Sequence, residues 1–299
     1  MKNFVAIVNG AAGGGRCKAE AQKALPRLRE AGYEFEVHET TRPGEATDIA
    51  RTKYQSGARK FLSVGGDGTS YEVINGIFPR GSEPDPVTLG ILPLGTGNSF
   101  LRDFKITNGD QAMTALIAGK TRSVDVIRAT HAQGAVYYIN LLSIGFSAVV
   151  GSLTNRRFKS FGPAGYAMAV ITSVTRLGHP SFPLSLDGEN HIDMRPCTLL
   201  SFSNSRFTAG TMMMAPTADP TDGKVDLIRV GALSRTELLS AFPRIYKGTH
   251  LSHPKIEHTR AREVTFADSK RHDVMVDGEV LELSLRSLHV LPGALQVIA

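Results

Sequence analysis

The sequence predicts two domains, an α/β domain on a mostly parallel sheet followed by a β-rich domain of sandwich or barrel texture. Three observations lead there. The chain has 299 residues and 32.2 kDa, which at about 150 residues per domain is enough for two. Its first third alternates short apolar runs with amphipathic stretches of roughly 10–15 residues, the rhythm of βαβ crossovers. After residue 124 the period changes, and short segments rich in Val, Ile, Tyr and Phe follow one another between Gly, Pro, Asn and Asp turns.

In order, residues 4–8 read as a buried strand, 13–15 as a glycine loop and 17–31 as an amphipathic helix. A strand is expected at 33–39, a helix at 44–57, a strand at 60–64 and a helix at 70–77. Beyond 124, strands are expected at 124–129, 135–144, 182–186, 198–202, 225–230, 263–267, 274–276 and 281–285, with helices at 165–177 and 235–246. There is no internal repeat and no low-complexity segment.

Composition narrows the classes. Two cysteines, Cys17 and Cys197, exclude a disulfide scaffold and a cysteine-built zinc site. With 30 Gly and no Trp, the chain invests in tight loops rather than aromatic surfaces. A net charge of +6 favours an anionic partner: nucleotide phosphate, nucleic acid or anionic lipid. The first apolar run is too short for a signal peptide, so a cytoplasmic protein is expected. Residues 132–155 carry no charge, yet Asn140, Ser143, Gly145 and Ser147 interrupt them. They read as strand rather than as a membrane span.

The strongest local signal is Ser63-Val64-Gly65-Gly66-Asp67-Gly68-Thr69, a buried strand feeding a glycine turn and then a helix N-terminus. That arrangement brings backbone N–H groups and a helix dipole to phosphate oxygens. It is neither a Walker A loop nor the spaced Rossmann fingerprint; taken alone, it could be a tight turn capped by Asp67 and Thr69. A second turn, Pro93-Leu94-Gly95-Thr96-Gly97-Asn98, again follows an apolar strand, and Asn9 with Gly13, Gly14 and Gly15 follows the first. Three such turns at the carboxyl ends of parallel strands would line one crevice.

These residues resemble the diacylglycerol kinase catalytic-domain family of soluble bacterial lipid kinases, to which sphingosine and ceramide kinases also belong. The resemblance runs through Glu72-Val73-Ile74-Asn75-Gly76, Asn204-Ser205-Arg206-Phe207, Ala215-Pro216-Thr217-Ala218, Asp222-Gly223-Lys224-Val225-Asp226, Tyr246-Lys247-Gly248 and Val276-Asp277-Gly278-Glu279. It covers essentially the whole chain.

The resemblance implies an ATP-binding domain over residues 1–124, rejoined by 288–299, a lipid-acceptor β-sandwich over 125–287, and an active site in the interdomain cleft. Carried over by position, Asn9, Thr40, Gly65, Gly66, Asp67, Gly68, Thr69, Ser70, Tyr71, Gly95, Thr96 and Asn98 would bind the nucleotide. Asp67 would act on the phosphates through Mg²⁺ and its waters. Asp219, Asp222 and Lys224 would hold a second Mg²⁺, Asp222 by its carboxylate and the others by backbone carbonyls, a donor set that suits this ion. An ordinary Asp-Gly turn is the alternative for that segment.

Glu279 would be the general base, with Asp277 as its polarising or metal-linked neighbour. Two residues apart on a strand, the pair would face the same way. On local sequence alone an Asp-Gly hairpin with a solvated Glu fits as well, and Asp187-Gly188-Glu189 has the same tripeptide. The chain departs from the family pattern at Ser99, where Asp is common, at Tyr71, where Asn or His is common, and in the glycine-poor Asn204–Gly210 loop.

Two further clusters carry less. His250, His253 and His258 fit no standard zinc spacing, and Arg156-Arg157-Phe158-Lys159 reads as a solvated basic loop or a headgroup contact. The expected partners are a lipid acceptor and an anionic membrane surface on the inner face, touched peripherally, and no nucleic acid. The oligomeric state is open, a homodimer included. A kinase for a soluble acceptor such as NAD, and a non-catalytic nucleotide or lipid binder, are the competing readings.

Overall fold

The first strand, β1 (Lys2–Asn9), buries Phe4, Val5, Ala6, Ile7 and Val8. An unbroken apolar run of this kind belongs to a parallel strand covered on both faces. After it come α1 (Arg16–Glu30), β2 (Tyr33–Thr40), α2 (Glu45–Gln55), β3 (Lys60–Gly65), α3 (Asp67–Ile77), β4 (Thr88–Pro93) and α4 (Gly109–Ala118). The computed structural model describes residues 2–78, 86–95, 97–158 and 162–299. The chain divides into two units, Met1–Val126 with Pro292–Ala299, and Ile127–Leu291.

In the first unit β1 pairs in parallel with β2 and with β3, and β3 pairs in parallel with β4. The chain's last residues close this sheet, with Gln296 and Val297 parallel to Thr88 and Leu89. The order β2-β1-β3-β4 reverses direction at β1, so the β1/β3 boundary is the switch point at which open α/β sheets bind ligands. Cys17, Ala21, Leu25 and Leu28 of α1 pack with Met113 and Leu116 of α4 against Phe4, Ala6, Leu62, Val64 and Leu92.

Helices α2 and α3 cross at Gly76, where a Cβ would lie 2.4 Å from the Thr47 carbonyl oxygen and 2.6 Å from the Ala50 Cβ. The Glu72 carboxylate of α3 accepts from the N–H groups of Gly44 and Ala46, capping α2 across the gap.

The rest of the chain forms β5 (Thr121–His131), β6 (Gly134–Tyr138), β7 (Leu141–Gly145), α5 (Phe146–Leu153), α6 (Gly162–Val174), β8 (Leu184–Leu186), β9 (Cys197–Ser203), β10 (Phe207–Thr208) and β11 (Met212–Met213). Then follow β12 (Val225–Gly231), α7 (Arg235–Ala241), β13 (Ile256–Ala261), β14 (Glu263–Phe266), β15 (His272–Val276), β16 (Glu279–Leu283) and β17 (Leu285–Ile298). The second unit is a sandwich. One antiparallel sheet has six strands in the order β13-β12-β9-β7-β15-β16. The other links β6, β5, β17, β14 and β8.

Phe202 of β9 and Phe266 of β14 meet edge-on between the sheets with centroids 5.6 Å apart, and the Tyr138 hydroxyl donates to the Phe202 carbonyl at 3.1 Å. On the far face of the six-stranded sheet, Leu199, Ile228 and Val230 pack with Val150, Ala169, Val170, Leu238 and Ala241 from the helices.

Three expectations are corrected. Residues 135–144 are two strands rather than one, because the backbone at Ile139, Asn140 and Leu141 turns to bind the Asp277 side chain. The helix expected over 235–246 ends at Ala241 and continues as a tighter 3₁₀ turn, Phe242–Lys247, with Pro243 at its start. The helix expected at 70–77 begins earlier, at Asp67, so the Gly-Asp-Gly turn lies inside its first turn. The uncharged stretch 132–155 is divided among β6, β7, α5 and the turn after it, and no helix among the described residues is long and apolar enough to cross a membrane.

Candidate functional site

The three glycine turns of the first unit touch one another. Asn9, at the end of β1, donates from Nδ2 to the Thr69 hydroxyl at 3.2 Å, bridging the strand-order reversal, and Thr40 stands opposite Asn9 in the parallel register with β2. The Gly65 carbonyl accepts from Leu94 N–H at 2.7 Å and from Gly95 N–H at 2.9 Å. A Cβ on Gly95 would lie 2.4 Å from the Gly66 Cα, and one on Gly13 would lie 2.7 Å from the Leu94 carbonyl oxygen. Side chains would push the turns apart. Gly13, Gly14 and Gly15 take successive left-handed conformations before α1, which has no acid in its first turn. Runs of backbone N–H groups in such turns form anion-binding concavities.

Within α3, Thr69 and Ser70 are buried, and the Ser70 hydroxyl meets the Ser63 hydroxyl at 3.1 Å. The Ser70 side chain is therefore committed to β3, and its N–H donates to the Gly66 carbonyl at 3.2 Å. Gly68 and Tyr71 are half-buried in the same first turns. Asn98 adopts φ 48° and donates from Nδ2 to the carbonyls of Pro93 and Gly95 at 3.2 and 2.8 Å, folding the second turn on itself. Thr96 lies outside the described residues.

Asp67 is the only acid in the first turn of α3. Both of its carboxylate oxygens accept from the Ser99 N–H at 3.0 Å, and the Ser99 hydroxyl and the Phe100 N–H also bond to it. Desolvation pushes the carboxyl above its ordinary range, and these bonds with the Arg102 charge oppose that rise. As an ionisable group held against desolvation in a turn of this kind, Asp67 is a candidate for a functional position.

In the second unit Asp277 and Glu279 do not share a strand face. Asp277 (φ 46°) and Gly278 (φ 95°) form the two-residue turn of the β15–β16 hairpin, and Val276 pairs with Glu279 across it. The Asp277 side chain is buried and accepts from the N–H groups of Ile139, Asn140 and Leu141 at 3.1, 3.1 and 3.0 Å. Glu279 is exposed at the first position of β16. Asp277 thus anchors the hairpin that presents Glu279, instead of polarising it from a shared face. Asn204 and Ser205 brace the same segment, with Asn204 Nδ2 on the Ile139 carbonyl at 2.9 Å and the Ser205 hydroxyl on Asn140 Oδ1 at 3.0 Å.

Asp219, Asp222 and Lys224 share one turn. Asp222 Oδ1 accepts from Lys224 N–H at 3.0 Å, and its N–H reaches the Asp219 carbonyl at 3.3 Å. Burial, Asp226 and Asp219 push the Asp222 carboxyl upward against its bond to Lys224 and the Arg260 charge. The buried Asp226 Oδ2 has no hydrogen-bond partner. Arg260 partly offsets this charge, lying 3.8 Å from Asp222 and 3.3 Å from Asp226 Oδ1, and the carboxylate and carbonyl oxygens of the turn are of the type that Mg²⁺ takes. Among the described residues no group of three or more His, Cys, Asp or Glu side chains forms a metal cluster. Reading the sequence gave no roles to Ser99 as partner of Asp67 or to Glu72 as the α2 cap; both contacts join residues more than a turn of helix apart, and no local pattern announces them.

Comparison with known proteins gives these residues a family. The family model described as the diacylglycerol kinase catalytic domain matches residues 3–129, and the one described as the YegS C-terminal NAD kinase beta sandwich-like domain matches 140–299. The chain is 28% identical over 296 residues to a diacylglycerol kinase of Mycobacterium tuberculosis, covering 98% of this chain and 94% of that one. It is 30% identical over 275 residues to a diacylglycerol kinase of Staphylococcus aureus, covering 91% and 84%. A crystal structure described as a diacylglycerol kinase from Bacillus anthracis shares the fold at a TM-score of 0.71 and 21% identity, covering 99% and 96%. With the turns around Asp67 and the sandwich both matched, the chain belongs to the diacylglycerol kinase catalytic-domain family, and it is a kinase.

Proposed function

We propose that the protein transfers the γ-phosphoryl group of ATP to the hydroxyl of a lipid alcohol, with Mg²⁺ and with Glu279 as general base. The observation that carries the proposal is the contact of three glycine turns at the strand-order reversal, bridged by Asn9 and Thr69. Family membership implies ATP as the donor, and the relatives' name favours diacylglycerol over sphingoid or ceramide-type acceptors. A net charge of +6 supports peripheral contact with the anionic surface in which such an acceptor resides.

Phosphoryl transfer asks for positioning and charge stabilisation more than for covalent chemistry. Backbone N–H groups of the turns at Gly13 and Gly66 bind phosphate oxygens, braced by the Gly95 turn whose own N–H is held by the Gly65 carbonyl, with Asn9 and Thr40 at the edge of the same turns. Glu279 accepts the proton of the acceptor hydroxyl as that oxygen attacks the γ-phosphorus, the bond to the β-phosphate oxygen breaks, and ADP leaves with the electron pair. Asp277 holds the Glu279 hairpin in place through its three backbone N–H bonds. Mg²⁺, when bound, supplies positive charge to the phosphate oxygens. Asp67, whose oxygens are already hydrogen-bonded, would reach it through water, and Asp222 with the carbonyls of Asp219 and Lys224 would hold a second ion in its turn.

The test is phosphorylation of a lipid panel with γ-labelled ATP. Diacylglycerol should take the label, and Glu279→Gln should lower kcat by about 10²–10⁴ while MgATP affinity changes less than about twofold. Label in no lipid while ATP binds would overturn the reading, and full activity in the variant would remove Glu279 from the base role.

A further inference from the structure

No Asp or Glu stands between Asp125 and Asp187, a stretch that carries Arg128, Arg156, Arg157, Lys159 and Arg176. Acids number 28 in the 299 residues, so a gap of this length concentrates positive charge on one segment. That segment holds α5 and α6, which lie on the far face of the six-stranded sheet. α5 buries Ser147, Ala148, Val150 and Gly151, and α6 buries Ala169, Val170 and Val174. Their other sides face outward, where Val149 is 47% and Ile171 64% exposed. The hydroxyls of Thr154, Thr172 and Thr175 donate to the carbonyls of Val150, Met168 and Thr172, each at 2.8 Å, so these groups are satisfied without water. Arg157, in the turn after α5, and Arg176, just beyond α6, are exposed. Ile192 and Met194 are exposed as well, but Asp187, Glu189 and Asp193 share their segment.

We propose that the outward sides of α5 and α6 dock the protein on an anionic lipid bilayer, with Val149 and Ile171 entering the headgroup boundary and Arg157 and Arg176 meeting lipid phosphates. The choice of occupant rests on the reading of the acceptor as a lipid, and on charge. Apolar side chains among basic ones, with no acid in the segment, match a surface that is apolar below and anionic above. The place of α5 gives the docking a purpose. A Cβ added at Gly151 would lie 3.1 Å from the Met275 sulfur and 3.2 Å from Val280 Cγ2, so the helix rests directly on β15 and β16, the hairpin that carries Glu279. One helix thickness, about 10 Å, separates that hairpin from the docking face. Binding through α5 therefore holds the hairpin close to the bilayer in which the acceptor resides.

The experiment is co-sedimentation of the full chain with vesicles of phosphatidylcholine, alone or with about 30 mol% phosphatidylglycerol, at about 0.1 M salt. The wild type should prefer the anionic vesicles by about tenfold or more, and lose that preference as salt rises. Ile171→Asp and Val149→Asp should each lower binding by about tenfold or more. Met194→Asp, on the other exposed apolar segment, should change it less than about twofold. The double variant Arg157→Gln/Arg176→Gln should lose about fivefold per arginine on anionic vesicles only. With a short-chain diacylglycerol dissolved below its aggregation limit, every variant should turn over within about twofold of wild type, whereas turnover of long-chain diacylglycerol in vesicles should fall with binding. Wild-type vesicle binding by a folded Ile171→Asp would overturn the proposal, as would equal binding to neutral vesicles. So would a protein that ignores vesicles but forms dimers that Ile171→Asp dissolves, because the face would then pair two copies. If both Asp variants fail to fold, the arginine pair decides: a lost anionic preference supports docking here, and a retained one overturns it. Wild-type protein that binds anionic vesicles but phosphorylates no lipid, dissolved or embedded, would overturn the lipid-kinase reading and leave the docking face standing.

Discussion

Single side chains in this protein are set by what burial does to their charge. The Asp67 carboxyl is pushed up by desolvation and held down by backbone N–H groups, whereas His250 has fewer allies. It is buried, its Nε2 pairs with the Met214 carbonyl at 3.0 Å, and its Nδ1 has no hydrogen-bond partner. Desolvation lowers its pKa below the ordinary 6.5, and the bond to Met214 only partly offsets this. The unfolded chain therefore binds the proton more readily than the folded one. The stability this group contributes is complete above about pH 6.5 and is lost as the pH falls through the lowered value. Replacing it by Gln, which can still donate to Met214, should shrink that loss. Melting curves of wild type and His250→Gln between pH 7.5 and 5 should converge or cross as pH falls, and parallel curves would show that His250 has the same pKa folded and unfolded.

At the scale of elements, close approach decides more than propensity. Ala in place of Gly76 would gain up to about 1 kcal/mol in helix propensity. Its Cβ, however, would sit 2.4 Å from the Thr47 carbonyl and 3.0 Å from the Arg51 N–H, backbone atoms of α2 that cannot rotate away. Overpacking of this kind costs about 1–3 kcal/mol, so Gly76→Ala should be net destabilising, by about 1–2 kcal/mol in urea unfolding, and an increase in stability would mean the α2–α3 crossing is looser than its geometry. Such contacts mark the limit of what the sequence reveals. The strand-glycine-helix turns at Gly65 and Gly95 are legible because their signal is local: an apolar run, a residue without Cβ, a helix start. The hairpin at Asp277 is not. Asp187-Gly188 makes the same kind of turn, with φ 48° and 76°, and its carboxylate likewise accepts backbone N–H groups, those of Arg262 and Glu263. The two tripeptides are alike in sequence and in local form, and what separates them is the identity of the distant backbone each one grips. The splitting of residues 135–144 follows from the same contact, 136 to 138 positions along the chain, and no periodicity within the segment could announce it.

At the scale of the whole chain, its two ends belong to one unit. β1 opens the parallel sheet and the end of β17 closes it, with Gln296 and Val297 on β4 and the Gly293 N–H on the buried Asp125 carboxylate at 2.8 Å. Leu295, Val297 and Ile298 are all within 3% of full burial. Losing a buried aliphatic side chain costs about 2–5 kcal/mol, so the three together are comparable to the ~5–15 kcal/mol total stability of an ordinary domain. The first unit therefore lacks a completed core until the last eight residues, Pro292–Ala299, are in place. Two outcomes follow. A fragment ending at Val126 should not unfold cooperatively, and the chain truncated after Leu291 should lose MgATP binding while the far-ultraviolet signature of its antiparallel sheets persists. Far-ultraviolet dichroism with calorimetric titration of MgATP tests both. A cooperative melt of the 1–126 fragment would show instead that β1 to β4 and their helices are sufficient, with the final strand an addition to a core already closed.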